Sequence, residues 1–120
     1  LAEANPDAYL PDLASSLNNL SNRLGKVGQQ VDGLAAIKEA VAIQRTLAKA
    51  NPDAYLPNLA TSLNNLSVRL GQVGRRADGL TANEEAVAIR RTLAEANPKR
   101  FDADLRNSLE VATWLRSLAE

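Results

Sequence analysis

The side chains with the most chemistry to offer in this chain are carboxylates and amides, because its 120 residues include neither histidine nor cysteine. Without imidazole, the commonest general base and the commonest transition-metal ligand are both missing. Without a thiol, neither a disulfide nor a thiolate metal site can form. A hydrolase built here would have to use paired carboxylates or serine with lysine. The acidic residues Asp7, Asp12, Asp32 and Glu39 are instead distributed like helix-start and surface charges. No catalytic residue, metal or cofactor is therefore expected, and the chain is not expected to be an enzyme. The amides are patterned: Leu17-Asn18-Asn19-Leu20 returns as Leu63-Asn64-Asn65-Leu66. An amide both donates and accepts a hydrogen bond.

The elements that must position these amides are helices. Leu59, Leu63, Leu66 and Leu70 follow the three- and four-residue spacing that aligns side chains on one stripe, leaving Asn64, Val68 and Gln72 on the other face. Gly28 and Gly74 follow the last leucine of each copy, where glycine can adopt the left-handed conformation that ends a helix.

The string Leu-Ala-x-Ala-Asn-Pro begins at Leu1, Leu47 and Leu93; 47 minus 1 sets the period at 46 residues, and 93 minus 47 agrees. A period of that length with only helical patterning means a solenoid of stacked helix pairs. The whole chain, 1–120, reads as one array. Residues 1–46 form repeat one, with the end of a preceding helix; 47–92 form repeat two; 93–120 form a partial repeat or capping helix.

The first helix of each pair is expected from about Ala8 to Val27 and Ala54 to Val73, the second from about Gln30 to Ala50 and Arg76 to Ala96. The asparagine before each proline can cap, and proline suits a first turn. Pro11 and Pro57 predict a loose or separate first turn before the regular helix; the third copy has Ala103 there. The second helix buries Leu34, Ile37, Ala40, Val41, Gln44 and Leu47, and Gly33 and Gly79 mark places where another helix could approach closely. Ile37 becomes Asn83 in the second copy, so that amide needs a partner or a wetter site. Residues 101–119 form a third first-type helix with a changed face: Ala112, Trp114 and Arg116 replace Leu66, Val68 and Leu70. Leu1 to Asn5 read as the last turn of a helix whose start is missing, so the chain is expected to be a piece of a longer array or to complete its end on another copy.

Charge is balanced, with 14 basic and 14 acidic residues, which leaves no overall field for nucleic acid or an anionic membrane. Arg69, Arg75, Arg76, Arg90 and Arg91 make the middle of the array locally basic and are expected as solvated surface charges. Nucleic-acid binding would need them on one continuous face. No apolar run approaches the roughly 20 residues of a membrane span, and no signal pattern opens the chain, so a soluble cytoplasmic protein is expected.

The segment from Leu17 to Ile43 resembles the tetratricopeptide repeat, in the long form of kinesin light chains and of many bacterial multidomain proteins. Leu17, Leu20, Ser21, Leu24, Gly28, Gly33, Ile37 and Ala40 fall on that signature, with Leu17 for its usual tryptophan and Ser21 for its first glycine. Leu63, Leu66, Ser67, Leu70, Gly74, Gly79 and Ala86 repeat the match, and Asn83 departs from it.

The resemblance implies an all-α fold, a right-handed solenoid of antiparallel helix pairs with about two and a half units and five helices. It implies a concave groove, lined by the first helices, that commonly holds an extended peptide. Its positions here would be Ser15, Asn18, Asn22 and Lys26, then Thr61, Asn64, Val68 and Gln72, then Asn107, Glu110, Trp114 and Leu118, with Asn19 and Asn65 at the edge. The family's clamp for a terminal carboxylate needs several basic groups, and only Lys26 stands in the groove, with Arg23 and Arg69 nearby. The alternative for the asparagines is that they bridge neighbouring helices or face water. Tyr9, Tyr55 and Phe101 recur once per period and are expected in packing; Trp114 occurs once and could anchor a ligand or a second copy, or simply cap the array. The expected work is protein or peptide binding without catalysis. Self-assembly through exposed end faces, stacked or swapped, is the alternative.

Overall fold

The structure, a computed structural model, describes residues 6–118. They form five helices: α1 Pro6–Lys26, α2 Gln30–Ala50, α3 Pro52–Gln72, α4 Arg76–Ala96 and α5 Pro98–Ser117. The segment Leu1 to Asn5, expected as a helix end, lies outside the described residues.

Punctuation decides where each helix stops. Gly28 and Gly74 both sit at φ 83°, and the following amides of Gln29 and Arg75 donate back to the carbonyls of Leu24 and Leu70 at 2.8 Å, which closes the preceding helix. Asn51 and Asn97 cap the next helices, their side-chain oxygens accepting from the amides of Ala54 and Arg100 at 3.4 Å, with proline in the first turn.

The expected break at Pro11 and Pro57 is absent: α1 and α3 run unbroken through them and start at Pro6 and Pro52. The reason lies at the helix start. Pro57 denies a hydrogen bond only to the carbonyl of Asp53, an exposed first-turn residue whose oxygen can turn to water. The last helix likewise begins earlier than Phe101, at Pro98.

Each helix packs on the next in sequence, and α1 touches α3 as α3 touches α5. The odd-numbered helices thus form one layer and α2 and α4 a second, in a slab of 49 × 35 × 19 Å. This is an all-α solenoid. One core cluster joins Leu34, Ile37, Ala40, Leu70 and Ala82; a second joins Val41, Ala48, Leu59, Leu63 and Ala86; Leu66 packs against both. Burying each large aliphatic side chain contributes about 1.5–3 kcal/mol, so the leucine stripe is the main cohesive term.

Helices of a pair meet closely at the internal glycines. A Cβ on Gly33 would stand 3.1 Å from the Ser21 carbonyl oxygen, and one on Gly79 3.1 Å from that of Ser67. Ser21 Oγ donates to the Gly33 carbonyl across this contact at 2.7 Å. Asn83 is 1% exposed and finds its partner in the Ser108 carbonyl at 2.9 Å. On the outer layer, Arg45 of α2 and Glu85 of α4 form a two-point ion pair at 2.6 and 3.1 Å. Donating to the Glu85 carboxylate holds the Arg45 guanidinium above its ordinary pKa.

Candidate functional site

The face made by α1, α3 and α5 carries the residues expected to line a groove, and the structure divides them into three groups. Val68, Gln72, Glu110 and Trp114 come together with Val111 around a recess of about 350 Å³ between α3 and α5. Asn22 and Lys26, with Asn19 and Arg23, line a second recess of about 410 Å³ along α1. Ser15, Asn18 and Thr61 join Asn19, Gln44 and Asn58 around a smaller pocket of about 180 Å³ between α1 and α3.

Trp114 is seated by what it covers. A Cβ on Gly71 would fall 2.7 Å from the indole Cη2 and 2.8 Å from Cζ3, so the missing side chain there lets the edge of the ring come close to α3. Its neighbour Leu115 is fully buried, while Trp114 keeps 36% of its surface exposed, an apolar plate supported from beneath. Leu109 on the same helix and Leu118 at its C-cap are each 40% exposed.

Two expected contacts require correction. Asn64 is 6% exposed; its Nδ2 donates to Asn107 Oδ1 at 2.9 Å and its Oδ1 accepts from Ser108 Oγ at 2.8 Å. Asn18 donates to Ser62 Oγ at 2.9 Å and to the Ala14 carbonyl at 3.1 Å, while its Oδ1 accepts from Asn65 Nδ2 at 3.1 Å. Both amides are therefore occupied by neighbouring helices. Odd-numbered helices stack near enough that a mid-helix amide reaches the next helix before it reaches a guest, and a buried amide must be satisfied there.

Arg75 and Arg91 are exposed as expected, but Arg69 and Arg90 are not. Arg69 is 9% exposed and donates to the Ser21 carbonyl at 3.3 Å, in space that Gly25 leaves free. Arg90 is 6% exposed; its Nη1 donates to the Asp104 carbonyl at 3.0 Å and to Ser108 Oγ at 2.8 Å, and its Nη2 donates to Thr61 Oγ1 at 3.3 Å. Burial pushes both guanidinium pKa values down, and the charge of Asp104 partly restores that of Arg90. Arg75 is tied to Asp78 at 2.6 Å, and Arg76 donates to the Leu115 carbonyl at 3.0 Å. Arg69, Arg76 and Arg90 thus join helices and Arg75 pairs within the start of α4, which leaves no continuous basic face of the kind nucleic acid would need. The usable signals were Gly25, a small residue facing Arg69, and the place of Arg90 within an otherwise apolar stripe.

Tyr55 packs on the second core cluster, Phe101 is buried beneath the Arg100 guanidinium at 4.8 Å, and Tyr9 stays 40% exposed. Among the described residues no three Asp or Glu side chains gather as metal ligands would, and no helix is long and apolar enough to cross a membrane.

Compared with models of protein families, residues 13–53 and 59–98 match the tetratricopeptide repeat, covering most of the chain in two copies. No curated protein matches the chain.

Proposed function

The chain belongs to the tetratricopeptide repeat family, whose members generally serve as protein–protein interaction scaffolds, and from that premise we propose that it is a non-catalytic module holding an extended stretch of another polypeptide. The observation that carries this reading is the recess between α3 and α5. Trp114 offers a supported apolar surface there, Val68 and Val111 extend it, and Gln72 and Glu110 provide polar groups at its edge. A large aromatic rimmed by polar groups is the composition of an interface anchor. Asn22 and Lys26 continue the same face along α1 and add a cation and an amide to the path.

Asparagine recognition of the ligand backbone, in this reading, rests on Asn22 and Asn19, since Asn18 and Asn64 are engaged between helices. The setting is cytoplasmic. A displayed peptide library selected on the protein tests the proposal: selected peptides should lose at least tenfold in affinity on Trp114→Ala, while Asn64→Gln, a change at a buried position, should not improve binding. Failure to select any peptide, or peptides indifferent to Trp114→Ala, removes the reading.

A second reading, self-assembly through the end faces, is favoured by one observation. Arg45 pairs with Glu85 from one even-numbered helix to the next, and the residues one period away from each, Arg91 and Glu39, are both exposed. Arg91 stands beside an open recess of about 490 Å³ lined by Val87, Leu109 and Ala112, and the other end of the slab exposes Leu20, Val27 and Val31. Light scattering at high concentration decides it: concentration-dependent association that Arg91→Glu abolishes supports stacking, and a strict monomer refutes it.

A further inference from the structure

The repeat allows one period to serve as a template for the next, and two equivalent places differ. In the second period the Arg90 guanidinium fills the space between α3 and α5, satisfied by the Asp104 carbonyl, Ser108 Oγ and Thr61 Oγ1. One period earlier these positions are Gln44, Asn58, Ser62 and Ser15. Gln44 is shorter and carries no charge, and where the guanidinium would be there is the pocket of about 180 Å³ between α1 and α3.

Gln44 forms the floor of that pocket. It is 1% exposed, and its Oε1 has no hydrogen-bond partner. A buried acceptor without a donor is uncommon because its desolvation is uncompensated. The rim is open: Ser15, Asn19, Asn58 and Thr61 are exposed, so a group approaching along the face of the odd-numbered helices can enter. No lysine or arginine lines the pocket, and Asp12, one turn before Ser15, is exposed on the same helix.

We propose that this pocket is a subsite for a guanidinium group, the side chain of an arginine in the bound polypeptide, held where Arg90 sits one period later. The inference rests on the peptide-binding reading above and names the chemistry that one part of the ligand carries. The acceptors are Gln44 Oε1, Ser15 Oγ and the Asn58 carbonyl, the last two being the counterparts of groups that Arg90 already uses. A planar fork of N–H donors can serve several acceptors in one plane, whereas an ammonium is a compact, strongly hydrated point charge that fits this arrangement poorly. Arginine is therefore preferred over lysine.

The probes are N-acetyl-arginine amide and N-acetyl-lysine amide, titrated into the full chain while the side-chain amide resonances of Gln44, Asn18 and Asn58 are followed by NMR. The arginine probe should produce a saturable shift at Gln44, at least tenfold tighter than the lysine probe. With the shift read at the Asn18 amide, which lines the same pocket and is present in every variant, Gln44→Leu, which removes the acceptor at similar size, should weaken the response to the arginine probe at least tenfold. Gln44→Arg with Asn58→Asp, which rebuilds the second-period arrangement, should abolish it. Circular dichroism establishes folding, and if the double variant does not fold, Gln44→Leu alone carries the test. No saturable shift at Gln44, equal response to both probes, or unchanged response in the folded variants overturns the proposal, leaving the pocket to water. If selected peptides still depend on Trp114 while the arginine probe fails, the subsite is wrong and the groove stands. If the arginine probe saturates at Gln44 but no peptide is ever selected, the groove is wrong and the subsite stands.

Discussion

Asn64→Ala separates a structural amide from a recognition amide. The side chain makes two hydrogen bonds to α5, to Asn107 at 2.9 Å and from Ser108 at 2.8 Å, in a place only 6% exposed. Each such bond contributes about 1 kcal/mol net. Ser108 is fully buried and its hydroxyl loses its acceptor, which adds about 1–2 kcal/mol, although Oγ still accepts from Arg90. The expected loss is therefore about 3–4 kcal/mol. For a chain of this size that is a fall in Tm of roughly 12–16 °C.

Stability in a stacked array need not be uniform, so urea titration should be followed both by far-ultraviolet circular dichroism and by the fluorescence of the single tryptophan, Trp114, which reports α5. In the variant the fluorescence transition should move to lower urea than the dichroism transition, because the bonds lost are those between α3 and α5. Asn18→Ala, at a half-buried site, should cost about 1 kcal/mol, and Asn22→Ala, on the open face, about 0.5 kcal/mol or less. An Asn64→Ala protein within about 0.5 kcal/mol of the parent, or one less affected than Asn22→Ala, would show that the inter-helix network has been misjudged.

Other consequences concern the backbone and the outer layer. Gly33→Ala should destabilise by about 1–2 kcal/mol in urea titration despite alanine's better helix propensity, because the new Cβ meets the Ser21 carbonyl at 3.1 Å and backbone cannot give way as a side chain can. Pro57→Ala should stabilise by about 1 kcal/mol, since it restores an amide donor to a helix that is already continuous; a loss of stability would mean the proline has a packing role not evident in the structure. Arg45→Ala should change stability by about 0.5 kcal/mol or less even though its ion pair with Glu85 is short, because both side chains are about 40% exposed and water screens the pair; a larger effect at high salt would contradict this.

Periodicity made most of the fold legible. The ranges expected for α2 and α4 coincide with those observed because glycine before each helix and Asn-Pro after it are unambiguous signals, and the buried stripe from Leu34 to Gln44 follows from its spacing. Pro57 does not break its helix because it lies within the first two turns, where the carbonyl left without a donor, that of Asp53, is exposed. The candidate site was legible as a face and not as a list of contacts. Helical spacing places Asn18 and Asn64 on the same face as Trp114, but only the distance to the next odd-numbered helix determines whether an amide meets a neighbour or a guest. The burial of Arg69 and Arg90 is not legible for a related reason: a guanidinium reads as a surface group unless the carbonyls it can satisfy are known to lie within reach. Gln44 is a polar residue in an apolar stripe, yet its lack of a partner is a property of three helices together.

Site-specific photocrosslinking tests the central claim most directly. A photoreactive amino acid introduced in turn at Gln72, at Glu110 and, as a control on the opposite layer, at Lys38 reports which face a selected peptide occupies. Crosslinks from positions 72 and 110 with none from position 38 are the predicted result; crosslinks from position 38 with none from the other two would contradict the account.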